Sequence, residues 1–77
     1  MIDEKLIDKK FGQLLKKLRL AQGISQEAFA LNTGLHRTYI SQLERGLKSP
    51  SLRTFDKICR ELGVSLVRFM ELLEKEG

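Results

Sequence analysis

The chain has 77 residues, one cysteine, one histidine and a formal net charge of +4 at pH 7. That length suits one domain with a modest core. The lone Cys59 excludes an intramolecular disulfide, and the lone His36 leaves a zinc site short of ligands, so no metal or other cofactor is expected. No apolar run reaches the roughly 18–20 residues that cross a bilayer. The stretch Met1 to Ile7 carries acids early and has no cleavable apolar region, which predicts a soluble cytoplasmic chain with no leader and no membrane partner.

Breakers fall at even intervals, and no stretch alternates polar with apolar residues, so the predicted fold class is all-α. Helix one is predicted over about residues 8–22. Phe11, Leu15 and Leu18 form its apolar stripe, Leu14 widens it, Lys10, Lys16 and Lys17 face water, and Gly23 ends it. Ser25 is a good N-cap for helix two, over about residues 26–33, which ends at Gly34. Helix three covers about residues 37–45 and ends at Gly46. It turns only Ile40 and Leu43 clearly inward and keeps Arg37, Thr38, Ser41, Gln42 and Arg45 outside, with Tyr39 between. Ser49-Pro50-Ser51 opens helix four, over about residues 51–62, where Leu52, Phe55, Ile58, Cys59 and Leu62 recur at helical spacing. Ser65 caps helix five, over about residues 66–74. Leu66, Phe69 and Leu73 are predicted to complete the core, leaving Val67, Met70 and Leu72 without an internal partner.

Charge is distributed unevenly along these elements. Arg37, Arg45 and Lys48 face only Glu44 over residues 35–48, whereas Glu71, Glu74 and Glu76 outnumber Lys75 near the C-terminus. A basic middle suits a polyanionic partner.

Residues 25–46 hold two short helices joined by a tight turn, the pattern of a helix-turn-helix. Gly34 meets the turn's need for a left-handed backbone. Leu35 plugs the gap between the helices, and Ala30 is small where a larger side chain would drive them apart. The runs Ser25-Gln-Glu-Ala-Phe-Ala30, Gly34-Leu-His-Arg-Thr-Tyr-Ile-Ser-Gln-Leu-Glu-Arg-Gly46 and Ser49-Pro-Ser-Leu52 resemble the phage-repressor and Cro type of helix-turn-helix over about residues 10–73. The short length and the run His36-Arg-Thr-Tyr-Ile-Ser41 resemble, within that family, the controller proteins of restriction-modification systems.

The resemblance implies a compact five-helix domain that binds operator DNA as a homodimer. It implies that helix three lies in the major groove, with Arg37 and Thr38 at its start and Ser41 and Gln42 one turn on. Arginine can bind guanine O6 and N7 and glutamine can bind adenine, each through two hydrogen bonds. Gln26 suits a phosphate oxygen, Arg45 and Lys48 suit the DNA backbone, and Tyr39 is divided between DNA and packing. The family also sets an arginine late in helix one against a glutamate late in helix three; here these are Arg19 and Glu44, read as a structural ion pair. Helix five and the loop before it, through Val67, Met70 and Leu72, are expected to form the dimer and set two recognition helices about 34–36 Å apart.

An enzyme is not expected, because the residues for a catalytic site are missing and no glycine-rich phosphate loop is present. The same fold also serves two other functions, a protein-interaction module and an antitoxin-type autoregulator. With no effector domain, no small-molecule ligand is expected, and the protein's own concentration becomes the control variable. Activation would need a surface that touches RNA polymerase, which the sequence does not identify.

Overall fold

The computed structural model describes residues 5–76; residues 1–4, whose acids entered the leader reading, lie outside them. Five helices follow in order: α1 (Leu6–Ala21), α2 (Gln26–Thr33), α3 (Arg37–Glu44), α4 (Leu52–Leu62) and α5 (Leu66–Lys75). Serines start three of them. Ser25, Ser51 and Ser65 accept hydrogen bonds from the backbone N–H of Ala28, Thr54 and Arg68 at 3.0, 3.1 and 3.0 Å, satisfying a donor that the helix cannot. The start of α1 lies two residues before the predicted one, and Leu6 and Ile7 there are exposed.

One device closes α1 to α4 at their other ends. At the end of α2, Leu35 N–H reaches back to Ala30 O at 3.0 Å, with Gly34 between at φ +74°. That backbone conformation costs an L-residue roughly 1–2 kcal/mol. The ends of α1, α3 and α4 repeat the long bond, from Ile24 to Arg19 O, Leu47 to Gln42 O and Val64 to Cys59 O. The apolar residue after each glycine then folds inward at Ile24, Leu35 and Val64, as this motif favours. Leu47 does not, and is 63% exposed.

The core is shared by all five helices. Phe11, Leu14 and Leu15 of α1 meet Phe29 and Ala30 of α2, Ile40 and Leu43 of α3, Phe55, Ile58, Cys59 and Leu62 of α4, and Phe69 and Leu73 of α5. Phe11, Phe55 and Phe69 form a cluster with ring centroids 5.0–5.8 Å apart, which fastens α1, α4 and α5 together through largely edge-to-face contacts. Elsewhere α1 packs on α3, and α2 packs on both α3 and α4.

Gly12 permits the α1–α3 approach. A Cβ there would fall on the carbonyl oxygen of Leu43 and lie 2.6 Å from that of Glu44. Only a hydrogen at this position lets the two backbones meet.

Three apolar positions depart from the sequence reading. Leu52 is 76% exposed although it follows the α4 spacing, because it occupies the first turn, beyond the end of the core. Leu66 likewise begins α5 and is exposed. Leu72, expected at an association surface, is half-buried against the core beside Leu73. Lys10, expected in water, is half-buried.

Candidate nucleic-acid interface

The inner edge of α3 is fixed by Ile40 and Leu43, both fully buried, and by Glu44 at its last turn. The opposite face is left to solvent. Arg37, Thr38 and Arg45 are exposed, and Ser41 and Gln42 are half-buried. Tyr39 is half-buried and packs against the core. Arg45 Nε turns back along the helix to Ser41 O at 3.4 Å, while Lys48 is exposed in the following loop.

His36 precedes α3 without capping it through its side chain, unlike the serines before α2, α4 and α5. The first backbone N–H groups of α3 are thus left available to an outside acceptor.

The other end of α3 is held by a buried polar network. Arg19 Nε and Nη2 donate to Glu44 Oε2 and Oε1 at 2.6 and 2.9 Å, and Arg19 Nη1 donates to Ile24 O at 2.7 Å. Both charged side chains are almost fully buried, at 6% and 3% exposure. The two-pronged fit matches the planar fork of a guanidinium to a carboxylate. Its hydrogen bond to Glu44 raises the Arg19 pKa further, so the positive charge is secure at any usable pH. Gln26 joins the same carboxylate, Nε2 donating to Glu44 Oε1 at 3.0 Å. One carboxylate therefore gathers the end of α1, the start of α2 and the end of α3.

On another side, the exposed residues Leu52, Leu66, Val67 and Met70 line an apolar groove rimmed by Glu71 and Glu74. It adjoins a second apolar groove formed by Ile7, Phe11, Pro50, Leu52, Met70 and Leu73. Val67 and Met70 thus share a surface, whereas Leu72 does not line it. Leu52, which follows the helical spacing of α4, and Leu66, expected in the core, both belong there; their position in a helix's first turn is the available signal. Gly12 was passed over as well, although a glycine inside an apolar helix stripe, at a cost of about 1 kcal/mol relative to alanine, calls for a packing reason.

Two packed short helices, one presenting an outward polar face on a rigid base, define a DNA-binding module. Residues 15–69 match the family model described as helix-turn-helix, and the chain belongs to this family: it is a sequence-specific DNA-binding regulator. It is 43% identical over 68 residues to the control protein C.MunI of Mycoplasma sp., spanning 87% of this chain and 92% of that protein. Identity to the control protein C.BamHI of Bacillus amyloliquefaciens is 47% over 55 residues, or 70% and 68% of the two chains. The restriction-modification controller protein C.Esp1396I, solved as a tetramer on its natural 35 base-pair operator, matches with a TM-score of 0.85 at 38% identity over 92% of this chain and 93% of that one. Among the described residues, no helix is long and apolar enough to cross a membrane.

Proposed function

We propose that this chain is a restriction-modification controller that binds a two-fold-related operator as a homodimer and regulates transcription of its own gene. The outer face of α3 carries the reading. Arg37 and Thr38 stand exposed on its first turn, Ser41 and Gln42 follow one turn later, and the buried side of the helix is held against α1 and α2. In the major groove Arg37 reads guanine, Gln42 reads adenine, and Thr38 and Ser41 contact bases or phosphates. Gln26, Arg45 and Lys48 grip the backbone, and Tyr39 spans the core and the groove edge.

Val67 and Met70, with Leu52 and Leu66, form the two-fold contact. An apolar patch with an acidic rim suits association with a second copy. Operator occupancy represses an overlapping promoter, while contact with RNA polymerase from an upstream site activates one. The position of the operator decides the sign.

The test is selection of bound sites from a random duplex pool, followed by titration of the selected site and a scrambled one with wild type and Arg37→Ala. The expected result is a palindrome preferred by about 10³-fold or more, with preference at one base pair relaxed in Arg37→Ala. Weak binding, equal on both duplexes and lost at moderate salt, would reduce the interaction to counterion release and favour an interaction module instead.

A further inference from the structure

Glu44 has a second partner that an ion pair alone does not require. It accepts from Arg19 on both oxygens and also from Gln26 Nε2 at 3.0 Å. Gln26 is half-buried, and among the described residues no buried side-chain nitrogen or oxygen lacks a hydrogen-bond partner. The carboxamide therefore has one N–H committed inward and a second N–H on the same nitrogen with no partner in the protein, and its unpartnered carbonyl oxygen is open to solvent.

We propose that Glu44 is a positioning residue for DNA binding, which sets the orientation of Gln26 so that its second N–H is presented to a phosphate oxygen. This rests on the reading of Gln26 as a backbone contact. A carboxylate can only accept hydrogen bonds, so it chooses which end of the carboxamide turns inward. Without that choice, the two orientations of the amide differ little in shape, and in one of them an oxygen meets the phosphate and repels it. Arg19 completes the arrangement. By neutralising Glu44, it allows a carboxylate to orient a phosphate-binding group without itself repelling the phosphate.

The network thus does more than hold helices together. It also ties the side chain on α2 to the end of α3, so that phosphate contact and the placing of the recognition helix depend on the same carboxylate. A purely structural Glu44 would affect DNA binding equally whether or not Gln26 were present. A positioning Glu44 would not.

The experiment is a double-mutant cycle on DNA affinity with Gln26→Ala, Glu44→Gln and the double variant. Each is measured on a random-sequence duplex at low salt and, where one is obtained, on the selected operator. Circular dichroism establishes that every variant is folded at the working temperature. Gln26→Ala should weaken binding by about tenfold, the scale of a hydrogen bond to a charged group. Glu44→Gln should weaken it by several-fold when Gln26 is present and by less than about twofold when position 26 is already alanine. Equal losses in the two backgrounds would overturn the proposal and leave Glu44 structural.

Nuclear magnetic resonance of wild type provides a test independent of variant folding. The two side-chain amide protons of Gln26 should be widely separated in the free protein, and duplex should move the outward one downfield. Unmoved Gln26 protons, on a duplex that shifts the backbone signals of α3, would also overturn it. Wild type that binds duplex with no sequence preference would instead overturn the operator reading, while the Gln26 signals still decide the role of Glu44.

Discussion

Replacing Arg19 by alanine should be among the most damaging single changes in the chain. Both members of its pair are almost fully buried, so the variant leaves the Glu44 carboxylate in the interior facing only Gln26. It also strips a donor from Ile24 O. Breaking a buried pair from one side costs about 3–5 kcal/mol. A domain of 77 residues has a total stability of about 4–12 kcal/mol, so the variant should lose between roughly a quarter of it and all of it. Arg37→Ala is the matched control, because it removes the same chemical group from an exposed site and should change stability by no more than about 0.5 kcal/mol. Urea denaturation followed by circular dichroism measures both. At about 4–8 °C per kcal/mol for a domain of this size, Arg19→Ala should melt more than about 12 °C below Arg37→Ala. Replacing Arg19 and Glu44 together by methionine should recover much of the loss, since a buried pair exchanged for apolar side chains is often neutral. Equal urea midpoints for Arg19→Ala and Arg37→Ala would refute the view that the buried charge matters to stability.

Two glycines provide a comparison of mechanism in the same assay. Gly12→Ala places a methyl on the backbone of Leu43 and Glu44 and should cost about 3 kcal/mol by overpacking, whereas Gly34→Ala meets nothing within 4 Å and should cost about 1–2 kcal/mol by its positive φ; the reverse order would contradict the packing account. Burial, helped by nearby Asp56, raises the Cys59 pKa from 9.0 to about 11. The folded state thus favours the protonated thiol, so the stability this contributes is whole below pH 9 and is lost as pH rises through 11. Urea midpoints of Cys59→Ala should fall less steeply than those of wild type across that interval, and parallel declines would exclude the effect. Val67→Asp should give monomers in sedimentation at unchanged secondary structure, while Leu72→Asp should lower the melting temperature; a Val67→Asp protein that still sediments as a dimer would remove this surface from the proposed contact.

Much of the fold was legible because its signals are local. A serine cap or a glycine at a helix end acts on the backbone within a few residues, so Ser25, Ser65 and the glycines at 23, 34, 46 and 63 could be placed by position alone, and Ser51, read as the first residue of its helix, proves to be the cap one position before it. The polar outer face of α3 was equally readable, because eight residues with only two clear inward apolar positions leave little choice. Helix α5 was harder: its apolar residues occupy several faces, and periodicity cannot rank Leu66 against Leu72 without knowing where the other helices end. The link from Gln26 to Glu44 spans 18 residues in sequence and no local pattern announces it. Gly12 illustrates the same limit, since its reason lies on the backbone of a different helix.

The backbone contact at Gly12 has a mechanical consequence. Gly46, just past α3, lies comparably close to Lys9, where an added Cβ would come 2.8 Å from Cγ and 2.9 Å from Cα, so the end of α3 and the turn after it meet α1 at the main chain, while buried side chains fill the rest of the interface. Such a seat resists sliding or rolling. When a stiff docking surface meets a duplex, the adjustment passes to the DNA, whose elastic cost depends on sequence at base pairs no side chain touches. Among operators with identical half-sites, those whose central steps twist and bend most cheaply should then be occupied first, and the order in which promoters respond to rising protein would be set partly by the stiffness of the DNA between the half-sites.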